Sequence, residues 1–484
     1  AATGGGVHGF AQGNVQGAVP ATGWRQQWRC AKNRLIFPPE LRQDWGDPQF
    51  VEHLDWWELF LDLVFIGAVV NIGDFLLDAI VVGRRSWLLF PLYSSTFAFA
   101  WSDYTFFFTR FRVFGDVYIS LALYIYILSI VLMSIFMKDG LITYRWFSIS
   151  IIISRIGLFL MYLPIVILSE NKRPVPLTGV ILAATTLQAL SWTMSAIFSG
   201  NIIIIVIWVM NAALFWFGIS VVPGLLHYSR LPLNVHHVAA RQGTLVLIYV
   251  GETVQMILSS PLPHAQVKRH FVIAMLGFAL CFTIKKLYHD CQPAHPSEHA
   301  MRSSRIRGRM YIWMHLIIGI PLIAMAVAIR LILVGLDHEV GGYAWTAPIL
   351  LICSYSGALF GLNAIRLVHN FPKRHVWVWI SRLGIMVPVV SVLPLYSYNG
   401  TVSAEGVLAT LVAVGTAMMI IDLFGFDVPV VGRRQPGRLV NLEMEEIVIA
   451  ELTTTGQTVD VHYLTSIQAR KLIRSEQDRI MTVV

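Results

Sequence analysis

The feature that most constrains this chain is a succession of apolar stretches, each long enough to cross a bilayer and separated from the next by a short polar interval. Runs such as Ile202 to Val209 and Leu316 to Ile329 leave no polar face. A spanning helix needs about 20 mostly apolar residues. That spacing predicts helices over 57–80, 86–109, 117–137, 145–169, 175–199 and 202–226, then 242–260, 270–288, 310–334, 346–368, 375–397 and 405–424. Only 13% of the 484 residues are charged, against about 25% in soluble domains, so a soluble fold is excluded. The expected fold class is all-α: a polytopic transmembrane bundle of about 12 helices over 56–425. It follows a disordered or extended cytosolic segment, 1–55, and precedes a cytosolic tail, 426–484. Within the tail, Glu446 to Leu452 and Val459 to Leu464 have a strand pattern, and Ser466 to Met481 has helical spacing. Cys30, Cys281, Cys291 and Cys353 are too scattered for a disulfide framework.

The formal charge of +8 is placed unevenly, and that asymmetry speaks to topology rather than to nucleic acid, for which no binding motif is present. With the N-terminus in the cytoplasm, the outer loops hold only seven Lys and Arg: Arg84, Arg85, Lys138, Arg145, Lys268, Arg269 and Arg330. Arg155 and Arg382 lie inside spans, and the other 27 lie on the cytoplasmic side. Both termini are therefore expected in the cytoplasm. The sequon Asn399-Gly400-Thr401 falls in an outer loop on this map and is a glycosylation candidate.

Ionisable residues inside a bilayer are costly and mark sites by default. Glu58 and Asp62 stand four apart on one face of the first span, suited either to a cation or proton or to basic partners on neighbouring helix ends. On the second span Asp103 shares a stripe with Arg110; either Arg110 neutralises an acidic layer, or Asp103 belongs to a solvated cavity. The seventh span repeats His237, Arg241, Leu245, Ile248 and Glu252 at helical spacing. Gly251 there is expected to permit close backbone approach. Arg155 on the fourth span is a possible structural partner for Glu252, and Asn211 on the sixth is another polar candidate. Tyr311 and His315 share a face of the ninth span with Gly319, and Arg382 and Asp422 are expected to pair. The loop Cys291-x3-His295-x3-His299 could supply zinc ligands, but it matches no strong signature and lacks a fourth ligand, so no metal and no cofactor is expected.

The block Glu58-Leu59-Phe60-Leu61-Asp62-Leu63-Val64-Phe65 resembles the E-L-F-F-D-L-V-F signature of the low-temperature-requirement A (LtrA) family. Three more blocks agree in order: Trp101 with Tyr104-Thr105 and Arg110-Phe111; His237-Val238-Ala239-Ala240-Arg241 through Gly251-Glu252-Thr253; and Leu287-Tyr288-His289-Asp290 with Tyr311 and His315. The resemblance covers about 55–425. Departures are Ala240 for a family Glu, Thr109 for Asn, Arg112 for Asp, and Asp103 where a small residue is usual. The resemblance implies fold kinship and site candidates, with no settled activity attached.

These residues suit three functional classes. The first is a secondary transporter or permease for a small ion or polar solute, proton-linked, with Glu252 central and Glu58, Asp62, Asp103 and His315 as an inner-side layer. The second is a non-transporting membrane scaffold, a homo-oligomer or subunit of a larger membrane complex, in which the same residues are paired glue. The third, an intramembrane enzyme, would need the Cys291 to His299 loop. Weak likeness between the first and seventh spans also suggests two parallel six-helix repeats.

Overall fold

The computed structural model describes residues 37–42, 55–83, 85–113, 115–169, 172–225, 231, 233–263, 266–293, 299–335, 346–369 and 375–425. The expected 426–484 pattern and His295 lie outside them. The chain divides after Asp422 into two compact units, and the helical bundle belongs to the first, residues 1–422. Every segment expected to span is helical: α1 (Trp56–Val81), α2 (Phe90–Phe108), α3 (Val117–Met137), α4 (Tyr144–Leu168), α5 (Val175–Ile197), α6 (Asn201–Leu225), α7 (Val235–Leu258), α8 (Val267–Cys291), α9 (Arg305–Val334), α10 (Thr346–Val368), α11 (His375–Tyr398) and α12 (Ala404–Gly425). A single turn, Ala300–Ser303, precedes α9.

Among the described residues, nine of these helices are long and apolar enough to cross a membrane. Of the other three, α6 supplies a shorter apolar stretch, Asn201–Trp216. Helix α2 carries Ser94, Ser95, Thr96, Ser102 and Asp103, and α7 carries His236, His237, Arg241, Gln242 and Glu252. Their polarity is turned inward, since Ser94, Ser102, His237, Arg241, Gln242 and Glu252 are all buried. Leu63, Leu121, Ile135, Ile203 and Phe278 meanwhile face outward. This distribution, apolar outside and polar within, is that of a multi-pass membrane protein.

Helix starts follow local chemistry. Asn234 accepts from the His237 amide at 3.2 Å, and Ser304 from the Arg307 amide at 3.2 Å, so α7 and α9 begin at these caps. Both therefore begin earlier than hydropathy alone predicts, at 235 rather than 242 and at 305 rather than 310. A two-residue antiparallel ladder, β1 (Glu40–Leu41) with β2 (Phe111–Arg112), ties the extended piece of the N-terminal segment to the end of α2. Helix α9 is the axis of the packing, touching α1, α2, α7, α8 and α10. It meets α7 closely at Gly319, where a Cβ would lie 2.4 Å from the Tyr249 ring.

Candidate functional site

Helices α1 and α7 pack together and bring three acids of the sequence reading to one interface. Near the first turns, Arg241 clamps Asp62 through both terminal guanidinium nitrogens, at 2.5 and 2.8 Å, and its Nε lies 3.4 Å from Glu58 Oε1. His237 Nε2 is 3.0 Å from the same Glu58 oxygen, and the Asp55 amide donates to Glu58 Oε2 at 3.1 Å. Trp101 Nε1 donates to Asp62 at 3.0 Å, with its ring 4.9 Å from the Arg241 guanidinium carbon. Glu58 and Asp62 are thus neutralised from α7, which is the basic-partner reading of this pair. A bidentate, stacked guanidinium holds geometry as well as charge.

Asp103 does not pair with Arg110. It accepts from Arg155 Nη1 at 2.5 Å, and the same nitrogen donates to Gln188 Oε1 at 2.9 Å. Arg110, seven residues on from Asp103 and just past the end of α2, donates instead to the Phe106 carbonyl at 3.0 Å. Equal helical phase places two residues on a stripe but does not bring side chains seven apart into contact. Arg155 is accordingly committed to α2 and α5, so the Arg155 to Glu252 pair, the structural alternative for Glu252, does not form.

Glu252 is 2% exposed, and neither carboxylate oxygen has a hydrogen-bond partner among the described residues. Gly251 does not create its space: a Cβ there would meet nothing within 4 Å. Gly73 on α1 does, since a Cβ on it would lie 2.7 Å from both Glu252 Oε1 and Met256 Cε. Beside this point Arg330 of α9 donates to Asp74 Oδ1 at 2.9 Å and to Met256 Sδ at 3.1 Å, while its buried Nε has no acceptor among the described residues. Sequence reasoning does not mark Gly73, Asp74 or Arg330 as site residues. Asp74, an acid inside an apolar run, is the available signal.

The remaining candidates have partners, although Asn211 Oδ1 and His299 Nε2 are buried with none among the described residues. His315 bonds the Tyr311 carbonyl at 2.7 Å and the Tyr288 hydroxyl at 3.0 Å, and the Tyr311 hydroxyl donates to Gln292 at 3.3 Å. Asn211 donates to Ser191 and to the Ile207 carbonyl, both at 2.9 Å. Asp422 pairs with Arg382, as expected, and also with Arg366 at 2.8 Å. The Cys291 thiol donates to the Leu362 carbonyl at 3.4 Å, and His299 Nδ1 accepts from the Met301 amide at 3.3 Å. Among the described residues no group of three or more His, Cys, Asp or Glu is set to hold a metal. Asn399 and Thr401 are exposed in the turn after α11, a geometry open to modification.

No curated protein and no solved structure matches the chain. The family model described as bacterial low temperature requirement A protein (LtrA) matches residues 53–426, a stretch that contains α1 through α12 and each acid discussed above. The helical bundle, the α1 signature and this match agree: the chain belongs to the LtrA family.

Proposed function

We propose that this membrane protein is a proton-linked secondary transporter for a small ion or polar solute, with Glu252 as the coupling group. The observation that carries the reading is a contrast. Glu58, Asp62, Asp103 and Asp422 each have a cationic partner, whereas Glu252 lies buried with none on its carboxylate among the described residues. A carboxyl group in such a place needs a proton or a cation to neutralise it. Arg330, a neighbour with an unfilled Nε, offers a counter-charge when the proton leaves. The paired acids then act as clamps between helices rather than as ligands. Both termini are assigned to the cytoplasm on the Lys and Arg asymmetry.

Proteoliposomes containing a pH-sensitive dye test the reading. The wild type should pass protons down an imposed gradient, and Glu252→Gln should abolish this while keeping its unfolding temperature in detergent. Equal flux in the variant, or no flux above empty liposomes in either, would refute coupling at Glu252. The second reading, a non-transporting scaffold, draws on the clamps themselves. It expects Glu252→Gln to leave every function of the protein unchanged. For orientation, protease added outside intact cells should spare residues 426–484, and cleavage there would invert the map.

A further inference from the structure

A cavity of about 390 Å³ opens between α2, α4, α5, α6 and the start of α9. Its walls are apolar, with Leu158, Val180, Ile181, Leu214 and Ile312 among them, while Arg110, Arg305 and Arg309 line the same cavity. Arg110 is the telling group. Its guanidinium makes one hydrogen bond, to a carbonyl of its own helical turn, and lies 5.4 Å over the Phe106 ring. Its buried Nε has no acceptor, and among the described residues it forms no ion pair. Asp103 also lines the cavity, but its charge is held by Arg155.

We infer that this cavity binds a single-chain amphiphile with an anionic head, carboxylate or phosphate, its head on Arg110 and Arg305 and its tail along the apolar wall. A volume at the lower end of the usual ligand range, about 300–1,000 Å³, suits one chain. Guanidinium groups bind carboxylate and phosphate in the same planar geometry. Glu252 does not line this cavity, so the site stands or falls independently of proton coupling.

The full chain in nanodiscs of zwitterionic lipid, examined by native mass spectrometry, provides the test. Dodecanoate and dodecyl phosphate should bind with one-to-one stoichiometry, and dodecanol at least about tenfold more weakly. Arg110→Gln should remove that preference for the charged head. Ala184→Trp, which fills the cavity from α5, should weaken all three and remains informative if the Arg110 variant does not fold. Nanodiscs of phosphatidylglycerol separate the sources: displacement of dodecanoate there identifies a lipid headgroup, and continued binding identifies a free amphiphile. Equal affinity for dodecanol and dodecanoate, or binding indifferent to Ala184→Trp, would overturn the assignment.

Discussion

Gly73 and Glu252 form a single contact across the α1–α7 interface, and the glycine is what gives the carboxylate its space. Because a Cβ would sit 2.7 Å from both Glu252 Oε1 and Met256 Cε, Gly73→Val should destabilise the protein by about 1–3 kcal/mol through overpacking. Glu252→Ala in the same chain should recover part of that loss, measured by thermal unfolding in detergent. Additive losses would mean that the two do not meet. Arg155 supports a second test, because it is the only cation paired with Asp103 among the described residues. Arg155→Met should cost about 3–5 kcal/mol by stranding a largely buried carboxylate, and adding Asp103→Asn should restore much of it. Adding Glu252→Gln instead should restore nothing. A chain carries no record of which of several acids an Arg such as this will reach. Arg155 could have met either Asp103 or Glu252 until the helices were placed.

At the scale of the element, the caps decide where polar helix ends begin. The first turns of α7 are too polar for a hydropathy reading, yet Asn234 starts the helix early enough to carry His237 and Arg241 onto Glu58 and Asp62. Asn234→Ala should therefore cost about 1 kcal/mol and should lower protection from hydrogen exchange at the start of α7. The same substitution at the Ser304 cap of α9 should act on α9 alone. If Asn234→Ala leaves exchange at His237 and Val238 unchanged, the cap does not hold the helix end. Helices were the most legible part of the chain, because a long apolar run in a bilayer has few other ways to satisfy its backbone. The β1–β2 ladder was not legible. Two residues are too short to show an alternating pattern, and their pairing joins segments far apart in sequence.

On the scale of the whole molecule, stability should depend on pH through the ring cluster where the start of α9 meets the end of α10. The His299 ring lies 4.7 Å from Tyr311 and 4.9 Å from His369. Burial, with His236 and Arg302 adding to it, pushes the His299 imidazole down to about 4; burial, with His299 and His315, takes His369 down to about 3. Both values lie below the ordinary imidazole range near 6.5, so the unfolded chain binds protons first as the pH falls. Their contribution is complete above about pH 6.5 and is lost as the pH drops through about 4 toward 3. The unfolding temperature in detergent should fall over that window, and His299→Asn with His369→Asn should flatten the slope. A slope unchanged by the double variant would place the titration elsewhere. The sequence by itself determined the membrane class, the helical segments and the family resemblance, because bilayer insertion reads local hydropathy and the signature blocks are local. It also marked the residues with chemistry. Tertiary structure alone decided their partners: it paired Glu58 and Asp62 with Arg241 and Asp103 with Arg155, bonded His315 to Tyr288 and Tyr311, and left the Glu252 carboxylate beside Gly73 with no hydrogen-bond partner among the described residues. The difference is physical, because the ion pairs of α1 with α7 and of α2 with α4 join residues many positions apart, and only helix packing selects which charges meet.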